Sequence, residues 1–218
     1  MSDKESILKS LKEDDIPYVD IRFTDPKGKL QHVTVCSDLV DEDFLDDGFM
    51  FDGSSIAGWK GIEESDMKLI VDVESAYIDP FFAEKTLCVH CSVVEPDTGE
   101  PYDRDPRGTA EKAEAYLVAS GVGDKAYFGP EAEFFVFDDV RFANKINKVS
   151  FEIDAVDASW NTDTEYESGN MGHRPGLKGG YFPVPPVDSM QDIRGEMLST
   201  MKRIGMKVDK HHHEVASP

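Results

Sequence analysis

The chain has 218 residues, enough for one large or two small domains whose core needs no disulfide staples. Its 23 basic and 44 acidic side chains leave a net charge of −21, which repels a phosphate backbone and argues against nucleic-acid binding. Three cysteines, an odd number, argue against a secreted disulfide framework and for a reducing compartment, so the expected location is the cytoplasm.

Residues 1–11 carry scattered charges and no continuous apolar stretch, so they read as neither a signal peptide nor an anchor, and no run elsewhere approaches a membrane span. Ile7, Leu8 and Leu11 recur at helical spacing, which predicts a short amphipathic helix over 6–13, ended by Pro17. Val19, Ile21 and Phe23 then alternate, and Asp25-Pro26-Lys27-Gly28 supplies turn chemistry before a second strand at 30–36; together these predict a hairpin. Ser37 is the expected cap of a short helix through Phe44 and Leu45, stopped by Gly48. Two further strands are expected at 67–73 and 86–94. Cys88 and Cys91 form a C-x-x-C within the latter. A strand sends positions three apart to opposite faces, and no second pair completes a zinc set, so neither a redox nor a metal role is expected there.

Residues 95–107 have the Pro, Gly, Asp and Thr composition of a linker, which puts a domain boundary near 100. Asp105 before Pro106 is a helix start, Ala110, Ala113, Tyr116 and Leu117 give that helix an apolar face, and Gly121 ends it. Next comes Tyr127-Phe128-Gly129-Pro130-Glu131-Ala132-Glu133-Phe134-Phe135-Val136-Phe137, which reads as a strand with Glu131 and Glu133 on one face. Two such carboxylates call for a cation or for water at an exposed edge, and spacing alone leaves both open. A further strand is expected at 151–154. Residues 161–181, with five glycines, read as a functional or disordered loop. Ile193, Met197, Met201 and Ile204 predict a last helix, starting at Asp188 or Ser189, with a methionine stripe in the core.

Residues 206–215 read as a strand on which His212 and Glu214, two apart, share a face. If that strand lies in one sheet with 127–137, Glu131, Glu133 and Glu214 converge as an oxygen-donor site with His212 at its edge. Such hard ligands suit Mg²⁺ or Mn²⁺, and paired ions of this kind clamp nucleotide phosphates during phosphoryl transfer. No G-x-x-x-x-G-K-[ST] occurs, so ATP binding would rest on metal and carboxylates. Phe51-Asp52-Gly53-Ser54-Ser55 by itself reads as a tight turn.

Five strings in order resemble bacterial type I glutamine synthetase. They are Phe51-Asp52-Gly53-Ser54-Ser55 with Gly58-Trp59-Lys60-Gly61, Tyr102-Asp103-Arg104-Asp105-Pro106-Arg107, Gly129-Pro130-Glu131-Ala132-Glu133, Gly179-Gly180-Tyr181-Phe182-Pro183-Val184-Pro185-Pro186-Val187-Asp188, and His211-His212-His213-Glu214-Val215-Ala216. The resemblance implies an α+β chain: a β-grasp-like N-terminal domain over 1–100, then over 101–218 the first part of an α/β catalytic domain built on a curved, mainly antiparallel sheet. It implies condensation of glutamate with ammonia, driven by ATP through a γ-glutamyl phosphate, in a homo-oligomer of two stacked six-membered rings. By the same resemblance, Glu133 and Glu214 would hold one metal ion and Glu131 the second. Asp52, lent to a neighbouring subunit, would take a proton from ammonium, with Ser55 and Tyr181 lining the pocket and His212 beside the acyl phosphate. Asp209 stands where the family has a nucleotide-contacting glutamate, one methylene longer. The remaining metal ligands and the substrate-binding arginines are expected beyond Pro218, so this chain alone is expected to be inactive. Two other readings are a non-catalytic short form that associates with full-length subunits, and a γ-glutamyl ligase that uses an amine; retention of Asp52 and Tyr181 argues against the second.

Overall fold

The alternation in Tyr18–Thr24 forms strand β1, and it pairs antiparallel with β2, Leu30–Cys36, from Tyr18↔Cys36 to Thr24↔Leu30. The turn between them is closed by Asp25, whose carboxylate accepts from Lys27 N, Lys29 N and Gln31 Nε2. A computed structural model provides this fold and describes residues 3–160, 164, 165, 167 and 174–216. Cα packing divides the chain into two compact units, Met1–Phe128 and Gly129–Pro218.

In the first unit, helix α1 spans Lys4–Glu13, with Asp3 and Ser6 in a reciprocal capping box. Its Ile7 and Leu11 join Val19, Ile21, Leu69, Leu87 and Val89 in the core. The five-stranded sheet has the order β2-β1-β5-β4-β3, where β3 is Phe49–Asp52, β4 is Asp66–Ile78 and β5 is Thr86–Val94. Only β1 and β5 run parallel, from Tyr18↔Thr86 to Arg22↔His90, as a β-grasp core requires. Cys88 and Cys91 are free and buried, and burial pushes both thiols up to about 12, so neither is a ready nucleophile or ligand.

Three expectations change here. Ser37 starts only a single turn, Ser37–Leu39, whereas helix α2, Glu42–Asp47, is capped by Asp41, which accepts from Phe44 N at 2.8 Å. A carboxylate is the stronger acceptor at the positive end of a helix. Phe51 and Asp52 belong to edge strand β3 before the chain turns, because Phe49↔Leu69 and Asp52↔Asp66 pair it to β4. Helix α3, Pro106–Ser120, has the foreseen caps, with Asp105 accepting from Arg107 N, Gly108 N and Val93 N, and Gly121 left-handed. Its expected apolar face is nevertheless exposed: Tyr116 is 76 % accessible and Gly108 is the one buried residue of this helix. The caps are local signals, whereas burial needs a packing partner.

The opposite face of the sheet carries a buried polar network. Asp20, fully buried, accepts from Arg22 Nε at 2.7 Å and Thr34 Oγ1 at 2.7 Å, and its Oδ1 lies 2.7 Å from His32 Nδ1. Arg22 also donates to Tyr77 Oη and Asp79 Oδ2.

The second unit holds the antiparallel hairpin β6, Asp139–Lys145, with β7, Lys148–Asp154, and helix α4, Gln191–Arg203. Neither 127–137 nor 206–215 is a strand. Both are extended in sequence character, yet no β-ladder among the described residues completes their hydrogen bonds, and Phe128 is 90 % accessible. The methionine stripe is not core either: Ile193 and Met197 are exposed, and Met201 and Ile204 are half-buried. Part of the glycine-rich loop, including Gly169 and Gly172, lies outside the described residues. Among the described residues no helix is long and apolar enough to cross a membrane.

The polar network sets an acid limit for the first unit. Burial raises the Asp20 carboxyl, but hydrogen bonds from His32, Thr34 and Arg22 more than reverse this and hold it below its ordinary value. A depressed folded pKa stabilises above the unfolded value of about 3.9 and loses that contribution as pH falls through the folded value. Asp20→Asn is therefore expected to cost about 3 kcal/mol near neutral pH, since it leaves a buried guanidinium with one carboxylate fewer. It should also flatten the loss of stability below about pH 4, where the wild-type carboxylate would protonate. Urea unfolding followed by Trp59 fluorescence across pH checks both.

A candidate metal and catalytic site

His212 lies between Glu131 and Glu214. Its Nε2 lies 3.7 Å from Glu131 Oε1 and its Nδ1 3.7 Å from Glu214 Oε2, and the candidate ligand atoms of Glu131, His212 and Glu214 all lie within 4.8 Å of one another. An ion bound at about 2.1–2.3 Å would set neighbouring ligands about 3 Å apart, so this trio needs to draw in by about an ångström or two. The donor set, two carboxylates and an imidazole, fits a hard or borderline divalent cation.

Several contacts aim these side chains. With Nδ1 protonated, His212 donates to the His213 carbonyl at 3.0 Å, which leaves the Nε2 lone pair facing Glu131. Glu214 Oε1 accepts from Val215 N at 2.8 Å. The Phe182 and Tyr181 rings, stacked at 4.0 Å, meet the imidazole edge-on at 4.6 and 5.7 Å. Two main-chain bonds tie the aromatic segment to the histidine segment, Gly180 N to Val215 O and Phe182 N to His213 O.

Of the residues singled out in the sequence, the fold thus brings together Glu131, Glu214, His212 and Tyr181. Glu133 is exposed and outside the trio, because the alternation that would align it with Glu131 needs a strand that is not formed. Asp209 is exposed ahead of the histidines. Asp52 and Ser55 lie in the first unit, where Asp52 accepts from Ser54 Oγ, Ser54 N and Ser55 Oγ. The Ser54 and Ser55 hydrogen bonds hold its carboxyl below the usual range. The turn reading and the catalytic reading of Asp52 are compatible: the bonds that close the turn also keep the carboxylate ionised. Phe182 and Gly180 were not singled out; their only signal was their place in the Gly-Gly-Tyr-Phe string.

The chain was compared with known proteins. Residues 15–96 match the profile described as "Glutamine synthetase, beta-Grasp domain" and residues 103–218 the one described as "Glutamine synthetase, catalytic domain". The chain belongs to the glutamine synthetase family. It is 71 % identical to the glutamine synthetase of Cereibacter sphaeroides and 70 % identical to that of Rhodobacter capsulatus, over the whole chain but only 46 % and 49 % of those proteins. It therefore spans about half the length of the curated relatives it matches. The cryo-electron microscopy structure of Plasmodium falciparum glutamine synthetase superposes with a TM-score of 0.84 at 21 % identity, over 100 % of this chain and 43 % of that one. The fold is therefore a β-grasp domain followed by the start of the glutamine synthetase catalytic domain.

The close approach at Gly180 is the most demanding piece of this geometry. A Cβ there would meet Glu214 O at 2.5 Å and His213 Cε1 at 2.9 Å. Gly180→Ala is expected to push the two segments apart at a cost of about 1–3 kcal/mol. Hydrogen exchange of peptides covering 178–184 and 208–216 should accelerate about tenfold or more, while peptides from β5 keep the wild-type rate.

Proposed function

We propose that this chain supplies the N-terminal part of a glutamate–ammonia ligase that uses ATP and Mg²⁺ or Mn²⁺, with a β-grasp domain over about 1–100 and the start of the catalytic domain over 101–218. The observation that carries the reading is the meeting of Glu131, His212 and Glu214, from segments about 80 residues apart, in one cluster whose candidate ligand atoms lie within 4.8 Å of one another. In this reading Glu133 and Glu214 hold the ion that orders glutamate, and Glu131 holds the one on the ATP phosphates. Bound divalent ions supply charge neutralisation for the transferring phosphoryl group.

The chain's own residues then divide the work. The γ-carboxylate of glutamate takes the phosphoryl group from ATP, giving ADP and an acyl phosphate; His212, ringed by Tyr181 and Phe182, stands beside that phosphoryl group. Asp209 contacts the nucleotide. Asp52, held ionised by its serine hydrogen bonds, presents a negative charge to ammonium and accepts its proton as nitrogen attacks the acyl carbon and phosphate leaves. Ser55 and Tyr181 line the ammonium pocket, which in this reading forms between neighbouring subunits of a cytoplasmic double ring. The 218-residue chain by itself carries only part of this constellation and does not turn over.

Two measurements test the reading. In a polypeptide carrying the complete catalytic domain, Asp52→Asn is expected to lower kcat for glutamine formation by about 10²–10⁴ and leave the KM for ATP close to wild type. An unchanged kcat removes Asp52 from the chemistry. For the 218-residue chain, calorimetry with Mn²⁺ is expected to show weak binding that Glu214→Gln abolishes, and tight stoichiometric binding would contradict the proposed division of ligands.

A further inference from the structure

His213 lies between two candidate ligands but faces the other way. Successive side chains on extended backbone point to opposite sides, so His212 and Glu214 can share a face only if residue 213 is fixed on the reverse. It is fixed there by a buried partner: Nε2 lies 2.7 Å from Asp157 Oδ2, and both side chains are about 95 % buried. The second Asp157 oxygen accepts from Ser189 Oγ, just ahead of α4. On the other side of the ring, Nδ1 lies 2.8 Å from both the Gly180 and the Glu214 carbonyl oxygens.

Every atom facing the imidazole nitrogens is an acceptor, so both nitrogens donate. One ring thereby links the segment around Asp157, the residue ahead of α4, the Gly180 backbone and the carbonyl of the ligand Glu214. Gly180 fits because it has no side chain: a Cβ there would meet the ring at 2.9 Å. The Asp157–His213 separation in sequence leaves no local motif.

We propose that Asp157 and His213 form a positioning pair that fixes the backbone between His212 and Glu214, so that Glu214 is held ready for a divalent cation with His212 beside it. The proposal rests on the proposed reading of Glu214 as a metal ligand and of His212 as its neighbour beside the phosphoryl group. Neither Asp157 nor His213 touches the ion; each acts through the backbone of its neighbours. Removing such a second layer of support weakens metal binding by about 10–100-fold in other metal sites.

The test titrates the 218-residue chain with Mn²⁺ and follows paramagnetic broadening of the His212 side-chain resonances, a readout that works for weak as well as tight binding. Wild type is expected to show saturable broadening at His212 that Glu214→Gln removes. Asp157→Asn, which keeps the side-chain volume, is expected to weaken Mn²⁺ by about tenfold or more while circular dichroism keeps its helical signal. Asp157→Glu, which restores the carboxylate, should recover part of the loss, a rescue that a merely space-filling role would not give. Should Asp157→Asn unfold the second unit, Ser189→Ala is the milder probe, expected to weaken Mn²⁺ severalfold. Wild type without broadening at His212 overturns the metal reading and the proposal with it. Wild-type broadening with unchanged affinity in a folded Asp157→Asn, or in Ser189→Ala, overturns the positioning role alone.

Discussion

Extended backbone is stable only where a neighbour completes its hydrogen bonds, and this requirement separates the two units of the chain. β1 has neighbours on both sides, β2 antiparallel and β5 parallel, so both of its faces are put to use. One face buries Val19, Ile21 and Phe23, and the other closes over Asp20 and Arg22. The segment 127–137, which runs from the end of the first unit into the second, has the composition of a strand but no ladder among the described residues. Its aromatic side chains remain exposed. Propensity made the segment strand-like, and only pairing could have made it a strand.

The same distinction explains what was legible in the sequence. β1, β2 and β5 were readable to the residue because alternation and turn chemistry bound them locally. Helix α3 was readable because Asp105, Pro106 and Gly121 mark its ends. β3 was hidden, since Phe51-Asp52-Gly53 carries turn chemistry and its strand character comes from pairing with β4, a non-local contact. The stripe of Ile193 and Met197 was read correctly as one helix face but wrongly as core, because amphipathicity announces a wish for a partner without supplying it.

At the site, spacing was informative where it described one segment. His212 and Glu214 do meet Glu131, the partner that the alternation argument named, although neither segment is a strand. Glu133 was aligned with them by strand alternation, and that argument lapses without the strand. What spacing could not reveal is the reverse side of the histidine segment. His213 meets Asp157 and Gly180 across the fold, and no period in the sequence connects those three.

These contacts also divide the trio into a held part and a free part. His212 and Glu214 are anchored through their neighbour His213, through Val215 N and by the Phe182 and Tyr181 rings. The Glu131 side chain is 67 % accessible, and among the described residues it meets His212. Few buried contacts mean a low cost of displacement. In the proposed reading, any adjustment that an ion demands of this cluster would fall on Glu131 rather than on the held pair. The precision of the proposed site would then reside in what fixes that pair.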